Sequence, residues 1–82
     1  KNLVYPELAR ENGIEGRVHV EAIVEKDGSI TNIKVLRGKE LGHGIPEEAI
    51  RMVKAMPKWK PGMMDGKIVR AYFTMPVVFK LP

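Results

Sequence analysis

The side chains that most often carry out chemistry are few in this chain and poorly spaced for it. Nucleophilic catalysis needs a hydroxyl or thiol beside a base. Here there is no cysteine, and the single serine, Ser29, falls in a tight turn. The two histidines, His19 and His43, lie in a strand-like segment and in a glycine-rich loop. His43 and Glu47 have the i,i+4 spacing of two ligands on one helical face, but no third ligand accompanies them. Glu21 and Glu25 could form a carboxylate pair for proton transfer; two solvated charges on a strand is the simpler reading. Gly42-His43-Gly44 lacks both the further glycine and the preceding strand of a phosphate-cradling loop. The expectation is a protein that is not an enzyme, with no cofactor and no metal site.

The totals narrow the class. Eighty-two residues, 44% of them hydrophobic and 29% charged, make one domain over residues 1–82. The chain has no apolar run of about 18 residues that would form a membrane-spanning helix. It opens on Lys1 without a methionine, which reads as a fragment or a mature domain. The net charge of +4 permits an anionic partner. The basic residues are nevertheless spread out, the closest grouping being Lys54, Lys58 and Lys60. A sheet that stacks nucleic-acid bases needs several aromatics on its open face. Tyr72 is the single candidate, so no nucleic-acid partner is expected, and a basic nucleic-acid-binding module is kept as the lesser alternative.

The elements that would position any site follow from periodicity. Pro6 to Asn12 is expected to be a short helix, with Glu7 at its positive end, Leu8 as its main apolar contact, Ala9 as a second, and Gly13 as its cap. Arg17 to Glu25 alternates, with Val18, Val20, Ala22 and Val24 on one face. Asp27-Gly28 signals a hairpin, and Ile30 to Arg37 returns. Ile30 and Leu36 fall out of phase with Ile33 and Val35, which predicts a bulge or a strong twist near Asn32. Ile45 to Met56 is the main helix, with Pro46 in its first turn and Pro57 as its stop. Trp59, in a stiff connector, anchors the crossing to a last strand, and Met63 to Gly66 is a turn. From Lys67 to Leu81, every second residue from Val69 onward is apolar. The fold class is α+β: a two-layer sandwich with a three-stranded antiparallel sheet and two helices on one face, in the order α-β-β-α-β.

That last segment, 15 residues long, contains Pro76. Proline cannot donate to a ladder, so a strand holding it belongs at a sheet edge with the proline facing outward. By parity the backbone of Arg70, Tyr72 and Thr74 faces the same free edge. A free edge invites another strand. On the residues alone its occupant stays open between a visiting strand, a protecting loop or lysine pair (Lys67 and Lys80), and a second copy of the chain.

Several pieces in order resemble one family. They are Tyr5-Pro6 with Ala9; Gly13 with Glu15-Gly16-Arg17-Val18; Val24, then Asp27-Gly28, then Ile33; Glu48-Ala49; Trp59 with Pro61-Gly62; and the ending Pro76-Val77-Val78-Phe79. Together they resemble the C-terminal domain of TonB, the energy transducer of Gram-negative envelopes. The resemblance implies a periplasmic domain tethered to the inner membrane and coupled there to ExbB and ExbD. It also implies a partner, the Ton box of outer-membrane transporters, which adds as a strand so that proton-motive energy can drive uptake. The matching stretch here is Val69, Arg70, Ala71, Tyr72, Phe73 and Thr74, with Asn2 and Tyr5 close to the bound segment. An envelope signalling or assembly role for the same fold, and edge-to-edge homodimers, are the alternatives the resemblance leaves.

Overall fold

In the computed structural model, residues 3–82 are described; Asn2 lies outside them. Helix α1 spans Glu7–Glu11, strand β1 Gly16–Val24 and strand β2 Ile30–Arg37. A 3-10 turn at Lys39–Leu41 leads to helix α2, Ile45–Lys54. Strands β3 (Gly62–Met64), β4 (Lys67–Val69) and β5 (Ala71–Phe79) complete the chain. The main sheet has the order β2-β1-β5 and both pairings are antiparallel. The expected two-layer architecture therefore stands. The structure corrects it in one respect: a separate β3-β4 hairpin precedes the last strand, and the expected 15-residue strand is broken at Arg70.

The sheet buries one face because β1 and β5 carry apolar residues in the same phase. Cross-strand partners Val18 and Val77, Val20 and Met75, and Ala22 and Phe73 share the face toward the helices. Val18, Val20, Val24, Ile45, Val53 and Phe79 are the largest fully buried side chains. α2 supplies Ile45, Ala49 and Val53 at helical spacing, and Pro46 sits in its first turn. Its end comes at Lys54, three residues before Pro57. In α1 the buried residue is Ala9, and Leu8 is exposed, contrary to the sequence expectation. A five-residue helix has one inward position, and the chain reaches it already oriented by Tyr5. The Tyr5 ring meets Phe79 edge-on, with centroids 5.7 Å apart, and its hydroxyl donates to the Ile14 carbonyl. Burial first and Glu15 second hold that phenol above its ordinary pKa. Val4 N–H donates to Glu48 Oε2 at 2.8 Å, tying the lead-in to the first turn of α2. Arg51, through Nε and Nη2, holds the same carboxylate, whose pKa these bonds lower.

The expected irregularity of β2 is present twice. The register shifts between His19 and Val20 and again between Glu21 and Ile23, each time with one extra residue on β2. Asn32, inside the second shift, has φ of 51°. The bulges let Ile30, Ile33 and Val35 all reach the core side while Leu36 stays exposed.

The β1–β2 turn also anchors the connector. Asp27 Oδ1 accepts from the backbone N–H and the hydroxyl of Ser29, an Asx-type turn. Gly28 has φ of 88°, and its carbonyl accepts from Trp59 N–H at 2.9 Å. A Cβ at Gly28 would stand 2.5 Å from the Trp59 carbonyl oxygen. Trp59 is thereby held over the sheet, edge-on to Phe73 at 5.2 Å. Gly28→Ala combines positive-φ strain with that clash and should cost about 1–3 kcal/mol of stability. Urea unfolding checks the loss, and a red shift of Trp59 emission should accompany it.

Candidate functional site: the outer edge of β5

β5 is the edge of the main sheet. Its register with β1 runs without interruption from Gly16 opposite Phe79 to Val24 opposite Ala71, straight through Pro76 opposite His19. A ladder continuous across a proline requires the missing N–H to fall on the outward side. Peptide groups alternate along a strand, so those of Tyr72, Thr74 and Val78 point outward with Pro76, and those of Ala71, Phe73, Met75 and Val77 turn to β1. Among the described residues no strand pairs with the outward side of β5.

The residues singled out from the sequence separate into groups on this frame. Tyr72 and Thr74 present both peptide groups and side chains to solvent; Tyr72 is 71% exposed. Phe73 and Ala71 carry their side chains on the helix side, against Ala22 and Val24. Val69 belongs to β4 and pairs with Gly62. Tyr5 lies at the Phe79 end of β5, roughly 20 Å along the strand from Tyr72. Asn2 falls outside the described residues.

Arg70 occupies the break between β4 and β5. Its Nε and Nη2 donate to the two oxygens of Glu25 at 3.1 and 3.0 Å, a bidentate pair that ties the break to the end of β1. Thr31 Oγ1 donates to the same carboxylate. The hydrogen bonds from Thr31 and Arg70 hold the Glu25 carboxyl below its ordinary pKa. Sequence reasoning missed this pair because its members are 45 residues apart. The only hint was that Glu25 follows the last alternating residue of β1.

Other polar side chains are engaged elsewhere. The Ser29 hydroxyl is taken by Asp27 at 2.6 Å, and His43 Nδ1 lies 2.9 Å from the Leu41 carbonyl oxygen. Among the described residues no three His, Asp or Glu side chains cluster to hold a metal. What the site offers is a row of backbone donors and acceptors on an edge strand. It is flanked by Tyr72 on the open face and by Phe73 and Trp59 on the other.

Together these features define a small α+β domain with an accessible edge strand. Residues 1–81 match the family described as Gram-negative bacterial TonB protein C-terminal, and the chain belongs to that family. It is 35% identical over 78 residues to Protein TonB of Pseudomonas aeruginosa, a match covering 95% of this chain and 22% of that protein. The chain thus spans about a fifth of that relative. Its structure is similar to a solution structure of Helicobacter pylori TonB-CTD, with a TM-score of 0.64 and 28% identity over 98% of this chain and 70% of that one. A second Helicobacter pylori TonB-CTD structure gives a TM-score of 0.58 at 28% identity, covering 94% and 78%.

The lowered Glu25 pKa has a defined sign. A carboxyl depressed in the folded state contributes stability that is complete above its ordinary value of 4.5 and is lost as pH falls through the lowered one. Glu25→Gln should therefore flatten the fall in Tm on acidification from about pH 5 to about pH 3, relative to wild type. Thermal melts across that range check it; parallel curves would show that the pair contributes nothing.

Proposed function

We propose that this chain is the partner-binding domain of a periplasmic energy transducer. It takes an extended segment, the Ton box of an outer-membrane transporter, as an added strand along β5. The observation that carries this reading is the uninterrupted β1–β5 register through Pro76, which sends a row of peptide groups outward. Family membership supports this reading; in it, the rest of the transducer is tethered to the inner membrane and draws on proton-motive force through ExbB and ExbD.

The physics suits the task. Strand addition is recognised mainly by main-chain hydrogen bonds, so one edge serves partners of varied sequence. Each bond is worth about 0.5–1.5 kcal/mol net, so a few of them give reversible attachment. Tension along paired strands loads those bonds together, in shear. One charge crossing 100 mV releases about 2.3 kcal/mol, so a few protons match the scale of local unfolding in a transporter plug. A second copy pairing edge to edge would compete for the same groups, which makes any homodimer an alternative state of this site.

A Ton-box peptide should shift the backbone amide resonances of residues 70–74. Tyr72→Pro removes an outward N–H without touching the β1 ladder, and should abolish peptide binding while leaving the helical resonances in place. Peptide binding that survives this change, or shifts confined to Lys54, Lys58 and Lys60, would exclude the edge as the site.

A further inference from the structure

The side chains of β5 that face the helices are covered unevenly. At one end of the row Phe79 is 1% exposed and Val77 4%; Met75 is half-buried, and Phe73 is 36% exposed. The helix layer explains the gradient. Tyr5 packs on Phe79, and α2 lies mainly over β1 and β2. At the other end Trp59 leans edge-on against Phe73. Phe73, Met75 and Trp59 share with Ala22, Val24 and Val53 the lining of a narrow recess in which every side chain is apolar or aromatic.

The uncovered stretch coincides with the free backbone. Tyr72 and Thr74, whose peptide groups point outward, flank Phe73, and at Pro76 the outward row loses its donor. A strand added there lies about 4.8 Å out, and whichever way it runs its side chains alternate between the two faces of the sheet. Every second one therefore falls on the helix side, within reach of Phe73 or Met75. The others fall on the open face beside Tyr72 and Thr74, both exposed. There Thr74 stands opposite Glu21, which is paired with Lys34 at 3.5 Å. One face of such a strand meets apolar surface, and the other meets water and polar groups.

We infer that Phe73 and Met75 select among added strands: the segment this edge prefers carries two apolar, methyl-bearing side chains two residues apart, seated beside Phe73 and Met75, with polar residues between and around them. This rests on the strand-addition reading above and names the class of segment that reading leaves open. Main-chain bonds hold any extended segment alike; burial of the apolar pair ranks one segment above another. Valine and isoleucine suit the two places, because β-branched side chains also favour the extended backbone. The pair fixes register as well. A slip of one residue turns it to the open face, and a slip of two toward Phe79 sets it against Val77, which the core already covers.

Three capped peptides test this beside a Ton-box peptide. The first is Thr-Thr-Val-Thr-Val-Thr-Thr; the second, Thr-Val-Thr-Thr-Val-Thr-Thr, has the same composition; the third is all threonine. Only the first can place two valines on the helix side at once. Amide shifts of the whole chain give affinities, and intermolecular NOEs to the Met75 methyl and to the Phe73 and Tyr72 rings locate the valines. The first peptide should shift residues 70–74, bind about fivefold or more tighter than the second, and touch Phe73 and Met75 through its valine methyls. In Phe73→Thr, with the fold verified by amide spectra, the gap between the first two peptides should close to within about twofold. Equal affinities of those peptides for the wild-type chain overturn the selection, as do valine contacts to the Tyr72 ring in place of Phe73, or a gap that persists in Phe73→Thr. A Ton-box peptide that shifts residues 70–74 while the first peptide does not also overturns it, and strand addition survives. If no peptide shifts these residues, strand addition fails and the selection falls with it.

Discussion

A missing hydrogen determines how this domain presents itself. Pro76 has no N–H, and β5 nevertheless pairs with β1 along its whole length. The two facts are compatible only if the proline faces away from β1. Parity then settles the orientation of every other peptide group in the strand. β1 takes one row, and the other row is turned to solvent. The same alternation places Val77 and Phe79 in the core and Tyr72 and Thr74 outside it, so packing and edge exposure come from one register.

The rest of the structure anchors that strand. β1 is held between two partners, and its even-numbered valines meet α2 through Ile45, Ala49 and Val53. Tyr5 braces the Phe79 end, and Trp59, carried on the Gly28 turn, braces the Phe73 end. The chain's small core is spent mainly on this sheet.

The break at Arg70 divides the edge into two kinds of surface. Along β5 the exposed features are peptide groups beside a single aromatic ring. Beyond the break they are methionine and isoleucine side chains. Glu25, held charged by Thr31 and Arg70, fixes the junction between the two.

Much of this was legible in the residues. Alternation located β1 and β5, Asp27-Gly28 located the hairpin, Pro46 the start of α2, and Pro76 the edge. The phase slip of Ile30 and Leu36 announced the bulges in β2, because side-chain parity is a local property of the chain. Other features depended on what lies across from a residue. The alternation from Lys67 to Leu81 is unbroken in sequence, yet β5 ends its pairing with β1 at Val24, and the chain before Arg70 pairs with β3 instead. Three-residue arms are too short to show a period, so Gly62 read as connector and Met63 and Met64 as turn. Leu8 looked like the buried residue of α1, but docking through Tyr5 put Ala9 inward. The sequence by itself determined where the alternating segments of the main sheet run and which edge a proline must face, since both follow from backbone chemistry within the segment. Only the tertiary structure decided where one strand changes partners and which apolar side chains are left uncovered, because those depend on contacts between residues far apart in the chain.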